Sequence, residues 1–142
     1  MIEQLTVLLQ NERGRLAGLA RELADAGVNM HDLFIADTAD YGIVRIFCDT
    51  PRRAAARLTE AGYRASIAEV LAVRVPNEPG GLAKLLEFID ETGANIEYGY
   101  CFSRGEAKAI DVLKIAEPSG IEDKLREAGF DVAAPEEVYA LD

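Results

Sequence analysis

Residues 77–83 read Asn-Glu-Pro-Gly-Gly-Leu-Ala, and the organisation of the whole chain can be worked out from them. The β-favouring residues 70–75 precede this segment, and apolar residues follow it at helical spacing. Pro79 fixes φ, and Gly80 and Gly81 permit conformations closed to other residues, so the backbone can turn sharply. The first helical amides have no partner within the helix and suit a carboxylate or a phosphate. A plain strand-to-helix turn without a ligand fits the same residues.

The chain contains this turn twice. Residues 11–17 read Asn-Glu-Arg-Gly-Arg-Leu-Ala and match residues 77–83 at an offset of 66 residues. The same offset superimposes the apolar helix faces that follow, and it aligns Gly27-Val28-Asn29-Met30 with Gly93-Ala94-Asn95-Ile96. Further along, the offset slips by one and then two residues, as small loop insertions produce. Coincident turns, glycines and apolar faces identify a tandem repeat.

The repeat divides the 142 residues into two units, residues 1–69 and 70–142. A unit of this size buries only about 60% of its unfolded surface and is marginal alone. We therefore expect the halves to pack together and the chain to form a homodimer.

The composition excludes several classes of partner. A net charge of −10 without a basic stripe argues against nucleic acid and against an anionic membrane surface. The first residues, Met-Ile-Glu-Gln, lack the features of a secretory signal, and no apolar run reaches membrane-spanning length. We therefore expect a cytoplasmic protein.

Each half reads as βαββαβ, the ferredoxin-like split βαβ arrangement of the α+β class. Turns are expected near residues 39–42 and 103–105, and Pro118 is expected to open the last helix. The final strands of the two halves are expected at residues 63–68 and 138–140. The remaining strands are expected at residues 2–10, 28–37, 43–48, 70–75, 94–102 and 107–115, and the helices at 16–26, 51–62, 81–91 and 118–128.

In this topology two helices cover one face of an antiparallel sheet and leave the other face open. Apolar side chains on the open face predict that something covers it. Arg45 and Asp111 are expected at equivalent positions of that face, either paired with each other or separately solvated. The apolar residues expected there are Ile43, Phe47, Leu113 and Ile115.

No catalytic constellation is recognisable. His31 is the only histidine, which excludes a multi-histidine metal site, and neither glycine turn matches a Walker or dinucleotide pattern. Cys48 and Cys101 are isolated on predicted strands, where cysteine usually acts as a small buried hydrophobe. The sequence therefore predicts no enzyme, no cofactor and no metal.

Two βαββαβ units, each with an Asn-Glu-x-Gly-x-Leu-Ala turn and a Gly-x-Asn-apolar start to the second strand, resemble tandem ACT domains. The resemblance covers nearly the whole chain and is closest to small stand-alone proteins of two ACT repeats. It implies a non-catalytic regulatory protein that binds a free amino acid at the interface between repeats. It also implies an enzyme or regulator of amino-acid metabolism as a partner.

In that family the ligand commonly lies where two domains meet through their second strands, between the loop of one and the strand start of its neighbour. The first turn departs from the family pattern because Arg13 replaces a frequent proline and Arg15 stands where the second half has Gly81. The two sites therefore differ. Carried over, the loop residues are Asn11, Gly14, Arg15, Leu16, Asn77, Gly80, Gly81 and Leu82, and the strand residues are Asn29, Met30 and His31, with Asn95, Ile96 and Glu97 equivalent. The resemblance also implies that Met30, His31, Ile96 and Tyr98 surround the side chain of the ligand.

The resemblance and the physics agree on an α-amino acid. Helix-start amides suit its carboxylate, and the asparagines can donate or accept. Alternatives for these residues stay open: Asn29 and Asn95 fit turn-shaping roles, Met30 and Ile96 fit core roles, and His31 fits a packing role. An ACT-fold module that assembles protein complexes without a small-molecule ligand is the alternative function.

Overall fold

A computed structural model describes residues 1–37, 40–103, 107–116 and 120–142, with Asp37 described for its backbone only. The expected turns near 39–42 and 103–105 and the helix start at Pro118 fall wholly or partly outside these residues. The described chain forms two compact units. We call Glu3–Ala68 with Pro135–Asp142 the N-unit, and Met1–Ile2 with Glu69–Ala134 the C-unit.

The elements follow the order expected for two ferredoxin-like repeats, which confirms the α+β fold class. In the N-unit they are β1 (Ile2–Gln10, whose first residue belongs to the C-unit), α1 (Arg15–Asp25), β2 (Met30–Asp37), β3 (Tyr41–Cys48), α2 (Pro51–Glu60) and the first part of β4 (Arg64–Pro76). The C-unit contains the rest of β4, α3 (Gly81–Glu91), β5 (Ile96–Phe102), β6 (Lys108–Ile115), α4 (Ile121–Glu127) and β7 (Asp131–Val132).

Equivalent strands pair in equivalent ways. In the N-unit β3 lies between β2 and β1 and pairs antiparallel with both. In the C-unit β6 lies between β5 and β4, and β7 pairs with β4. Each sheet buries one face against its own two helices. The fully buried residues of the N-unit core are Leu5, Val7, Leu19, Leu23, Val44, Ile46, Cys48, Ala54 and Leu58, and those of the C-unit core include Leu71, Val73, Leu85, Ile89, Ile115 and Leu125.

The expected final strands differ from the observed ones. Residues 63–68 and 70–75 do not form two strands, because β4 runs without a break from Arg64 to Pro76. The expected strand at 138–140 is absent; Pro135–Glu137 form a 3₁₀ turn, and Asp131–Val132 supply the short last strand. Pro135 favours this early stop because proline has no amide to donate to a strand ladder. The exact repeat boundary at residue 69 stays a prediction.

The expectation that Asp111, Leu113 and Ile115 point to the open face is wrong. Val73 pairs with Asp111, whereas its equivalent Val7 pairs with Val44. Asp111 therefore corresponds to Val44, on the face that meets the helices, and Leu113 and Ile115 belong to the core. The offset has already slipped by one residue before β6, and a slip of one residue moves every side chain of a strand to the other face.

Phe47 does lie on the sheet face opposite the helices, and a segment of the same chain covers it. The ring of Tyr139 packs on Phe47 with centroids 6.3 Å apart, and the two residues are 4% and 1% exposed. The Tyr139 hydroxyl accepts a hydrogen bond of 2.8 Å from the Glu3 amide. The C-terminal segment thus stabilises the N-unit. Within the described residues, no helix has the length and apolar character needed to cross a membrane.

Candidate functional site

The two helix-start turns have nearly the same backbone. Gly14 has φ 87° and ψ −11°, and Gly80 has φ 89° and ψ −11°. Such positive φ values are accessible to glycine at little cost, which explains glycine at both positions. In each turn the glutamate amide donates to the carbonyl two residues earlier: Glu12 to Gln10 at 2.8 Å and Glu78 to Pro76 at 2.9 Å. The repeat in sequence is therefore a repeat in conformation.

The residue that follows this glycine differs between the units. A Cβ atom at Gly81 would lie 2.2 Å from the Pro76 carbonyl oxygen, so the C-unit turn has no room for a side chain there. The N-unit has Arg15 at this position. Its Nη2 donates to Gln10 Oε1 at 2.6 Å, and its Nε lies 3.6 Å from Glu12 Oε2. The C-unit turn therefore excludes a side chain at the position where the N-unit turn accommodates that of Arg15.

The helix starts present backbone donors at both turns. The Arg15 and Gly81 amides donate back to the Glu12 and Glu78 carbonyls. The second and third amides of an α-helix have no acceptor within the helix. Leu16 and Leu82, which supply the second amide, also carry exposed side chains. A small anionic group can therefore approach each helix start.

A cavity borders each helix start, and the two cavities occupy equivalent places. The N-unit cavity has a volume of about 290 Å³ and the C-unit cavity about 300 Å³. The N-unit cavity is lined by Leu8, Leu9, Gln10, Arg15, Tyr41, Gly62, Tyr63 and Arg64. The C-unit cavity is lined by the equivalent residues Arg74, Val75, Pro76, Gly81, Lys108, Gly129, Phe130 and Asp131, together with Glu78, Pro79, Gly80 and Lys84.

Asp131 organises the charges of the C-unit cavity. Its carboxylate lies 2.9 Å from Lys108 Nζ and 3.2 Å from Arg74 Nη1. The hydrogen bond from Lys108 is the main reason that the pKa of Asp131 is lowered, and the charge of Arg74 adds to it. Sequence reasoning missed this group. The glycine that ends each second helix, Gly62 or Gly129, was the available signal, because the residues after it line each cavity.

The predicted strand-start residues form a second group. The Asp49 amide donates to the Asn29 carbonyl at 3.0 Å, and the Ala116 amide donates to the Asn95 carbonyl at 3.0 Å. Both strands have a register shift at the next positions, between Met30 and Asp32 and between Ile96 and Tyr98. A bulge of this kind aims one side chain out of the regular alternation. His31 in the N-unit is the residue at this position.

His31 has a partner within the N-unit. Its Nε2 lies 2.7 Å from Asp49 Oδ1, and the same oxygen accepts a hydrogen bond of 2.8 Å from the Ala140 amide. Both hydrogen bonds lower the pKa of Asp49, and the one with His31 has the larger effect. The start of β2 is thus connected through Asp49 to the C-terminal segment.

The structure does not bring the loop residues and the strand-start residues together within either unit. Gln10 pairs with Tyr41 at one end of β3, and Met30 pairs with Cys48 at the other end. At about 3.4 Å per residue, these ends lie more than about 20 Å apart. β6 separates Pro76 from Ile96 in the same way. A site that combines both groups needs two different domains.

The other predicted residues take varied positions. Asn11 and Asn77 are exposed, and their amides donate to the Asp40 and Ala107 carbonyls at 3.2 and 2.8 Å. Met30 and Ile96 pack partly buried against the cores of their units. Tyr98 is opposite Lys114 in the sheet, on the face away from the helices.

Cys48 and Asp111 are buried titratable groups that lie outside these sites. Burial raises the pKa of the Cys48 thiol to about 12, so Cys48 behaves as a small apolar residue. Asp111 is 3% exposed, its Oδ2 has no hydrogen-bond partner among the described residues, and burial raises its pKa. The described residues contain no group of three or more side chains arranged to hold a metal ion.

Comparison with known proteins identifies the class of the chain. A family model described as an ACT domain pair matches residues 1–138. The chain therefore belongs to the ACT domain pair family, which confirms the resemblance seen in the sequence. This type of domain is regulatory rather than catalytic. No match was found among curated proteins.

Three solved structures share the architecture. A protein from Bacteroides thetaiotaomicron is 33% identical, with a TM-score of 0.91, over 99% of this chain and 96% of that one. The regulatory subunit of aspartate kinase from Thermus thermophilus, in a ligand-free form, is 19% identical with a TM-score of 0.64, over 89% of each chain. The corresponding subunit from Thermus flavus is 20% identical with a TM-score of 0.61, over 87% of this chain and 88% of that one. The similarity to the two Thermus subunits shows a shared fold.

Proposed function

We propose that this chain is a non-catalytic regulatory protein that binds a free amino acid. The observation that carries the proposal is the pair of helix-start turns, built alike around Gly14 and Gly80 and each bordered by a cavity of about 300 Å³. Ligand pockets usually measure roughly 300–1,000 Å³, so these cavities suit a small molecule. We assign the loop residues predicted from the sequence to this function and residues 1–69 and 70–142 to the two repeats.

The chemistry of the turns fits an α-amino acid. The amides at each helix start take the α-carboxylate, because hydrogen bonds from amides to an ionised acceptor are stronger than those to a neutral one. In the C-unit cavity the Asp131 carboxylate is available to an ammonium group, although Lys108 and Arg74 already neutralise part of its charge. The exposed Leu16 and Leu82 offer apolar surface beside each helix start.

We propose an enzyme or regulator of amino-acid metabolism as the partner that receives the signal. The support is the shared fold with regulatory subunits of aspartate kinase, which are themselves chains that act on an enzyme. The chain would then change the activity of a separate protein when its own ligand is present. Its place in the cytoplasm stays a prediction.

A thermal-shift screen against the twenty amino acids, each at millimolar concentration, tests the proposal. A ligand at about a hundred times its dissociation constant stabilises the folded state by about 2.7 kcal/mol, which raises Tm by about 5 °C or more. We expect one amino acid, or a few related ones, to produce this shift. A flat panel at saturating concentrations would contradict amino-acid binding.

A pair of variants locates the binding. Arg15→Ala removes a side chain of the N-unit cavity, and Arg21→Ala removes a 74%-exposed side chain on the same helix. We expect Arg15→Ala to change the shift produced by a ligand of the N-unit and Arg21→Ala to leave it unchanged. Equal effects of the two substitutions would remove the N-unit turn from the binding site.

Assembly without a ligand is the second candidate function, and one surface favours it. Leu33, Phe34 and Ile35 are 43%, 38% and 43% exposed on β2, which ends the order of strands in its sheet. An apolar strand at a sheet edge invites pairing with another chain. We propose a homodimer that uses this strand, and we expect Leu33→Lys to shift the mass measured by sedimentation from dimer to monomer. A monomeric wild-type protein at micromolar concentration would contradict this proposal.

A further inference from the structure

The two cavities occupy equivalent positions but differ in their charged groups, because the C-unit cavity combines the cations Arg74, Lys84 and Lys108 with the carboxylates Glu78 and Asp131. Among the residues that the structure describes, the N-unit cavity is lined by two cationic side chains, Arg15 and Arg64, and by no carboxylate. In the C-unit cavity Asp131 stands at the position of Arg64, and Gly81 at the position of Arg15. The charge at the start of the last strand is therefore reversed between the units. A difference of this kind changes which ligand each cavity can take.

The cations of the N-unit cavity retain donors for a ligand. Arg15 uses one Nη2 donor on Gln10 Oε1, and its Nε is 3.6 Å from Glu12. A guanidinium group carries five N–H donors, so further ones remain. Arg64 is exposed, and it has no ion pair or hydrogen bond from its side chain among the described residues. Two guanidinium groups therefore border one small cavity.

Polar uncharged groups line the same cavity. Tyr41 and Gln10 lie opposite each other on neighbouring strands, at the end of the sheet where α1 begins. Tyr63 closes another side, with its hydroxyl against Gly18 of α1. In the C-unit the equivalent residues are Lys108, Pro76 and Phe130. The N-unit cavity therefore combines two cations with neutral hydrogen-bonding groups.

We propose that the N-unit cavity binds a small ligand that carries two negative charges, held by Arg15 and Arg64. The shared chemistry is that of a dicarboxylate or a phosphate, because the planar guanidinium fork matches both. The chain carries a net charge of −10, so a dianion is attracted only where cations are concentrated. The inference rests on the proposed function, since it names the ligand class for one of the same two turns.

Calorimetric titration of the full chain at low ionic strength tests this inference. The probes are succinate, L-aspartate and inorganic phosphate, with L-asparagine as the neutral counterpart of L-aspartate. We expect at least one of the three probes that carry two negative charges to bind tenfold or more tightly than L-asparagine. A Kd for every dianionic probe equal to or weaker than that of L-asparagine would overturn the inference.

Substitutions test whether the ligand binds in the N-unit cavity. Arg64→Gln removes one charge-assisted contact and should weaken dianion binding at least tenfold, and Arg64→Asp, which copies the C-unit, should abolish it. Arg21→Gln, on the outer surface of α1, should change the Kd less than twofold. Thermal melts of each variant without ligand show whether it is folded. An unchanged Kd for folded Arg64→Gln would overturn the inference.

The set of probes distinguishes a failure of this inference from a failure of the proposed function, and it distinguishes a dicarboxylate ligand from a phosphate-bearing one. If L-asparagine or another neutral amino acid binds and no dianion does, the inference fails and the proposed function stands. If succinate or phosphate binds and no α-amino acid does, the inference stands and the proposed function fails. Binding of succinate and L-aspartate over phosphate identifies a dicarboxylate ligand, and the reverse order identifies a phosphate-bearing one; either supports the inference.

Discussion

The starts of the second strands, one in each unit, share their backbone but not their side chains. Asn29 and Asn95 accept the same hydrogen bond of 3.0 Å, and the same register shift follows each. In the N-unit Asp49 then binds both His31 and the Ala140 amide, whereas the C-unit has Ala116 at the position of Asp49. The helix-start turns show the same pattern.

The two units retain the same backbone features and differ in the side chains around them. In both units the turns contain glycines with positive φ and backbone hydrogen bonds between equivalent residues. Side chains that border the cavities and the strand starts have diverged in charge, size and hydrogen bonding. Two units with one fold therefore have two chemistries, and a ligand of one is not expected to fit the other.

The largest effect is expected from a side chain at Gly81. Gly81→Ala places a Cβ about 2.2 Å from the Pro76 carbonyl oxygen, and the strained turn should lose about 3 kcal/mol of unfolding free energy. Chemical denaturation measures the change. Arg15→Ala, at the equivalent position, should change the unfolding free energy by less than about 0.5 kcal/mol. Equal losses in both variants would show that the two turns are equivalent after all.

Asp111→Val gives the C-unit core the residue that the N-unit has at Val44. The substitution removes a buried carboxyl with an unpartnered Oδ2 and should stabilise the chain by about 2 kcal/mol at pH 7. Denaturation at pH 7 measures this change. A loss of stability in Asp111→Val would contradict the view that the carboxyl is a buried, unpaired group.

The same residue gives the chain a pH dependence of known sign. Because burial raises the pKa of Asp111 above its unfolded value of about 3.9, this carboxyl group binds a proton more tightly in the native state than in the unfolded state. The contribution of Asp111 to stability is fully present below pH of about 3.9 and is lost as the pH rises through the folded pKa. The gain from Asp111→Val should therefore shrink as the pH falls. A gain that is constant with pH would contradict the raised pKa.

Asp142→Ala should have a smaller effect, because it removes the cap of one helix. The Asp142 carboxylate accepts hydrogen bonds of 3.0 and 2.8 Å from the Arg52 and Arg53 amides, and Thr50 supplies no side-chain cap to α2. We expect a loss of about 1 kcal/mol. The C-unit helix α4 carries its own acids, Glu122 and Asp123, in its first turn. An unchanged unfolding free energy would show that Asp142 does not cap α2 in solution.

Asp49→Asn should have the smallest effect on stability. The pKa of Asp49 is lowered in the folded state. The contribution of Asp49 to the free energy of unfolding is therefore present above a pH of about 3.9 and is lost as the pH falls through the folded pKa. The asparagine variant should lose less stability than Asp142→Ala and should show a flatter pH dependence between pH 5 and pH 2. Ala116→Ser in the C-unit is a control that should leave this dependence unchanged. A pH profile of Asp49→Asn identical to that of the wild type would contradict the role of Asp49.

The order of elements could be predicted from the sequence because glycines and apolar periodicity recur at one offset. Which side chains of β6 face the helices could not be predicted. The apolar pattern of β6 fits either of two registers that differ by one residue, and these two registers place the same side chain on opposite faces of the sheet. The role of residues 139–142 was also missed, since Tyr139 and Asp142 act on residues far away in sequence. The turns of the candidate site were visible, but Arg64 and Asp131 carry no local motif and become cavity residues only through strand pairing.

An NMR titration of the full chain shows whether the two turns bind different ligands. Backbone amide shifts are followed while L-aspartate and then a neutral amino acid that stabilises the chain are added. We expect L-aspartate to shift the amide signals of Leu16 and Arg64, and the neutral ligand to shift those of Leu82 and Asp131. Equal responses of both sets to both ligands, or no response of either set at saturation, would contradict this expectation.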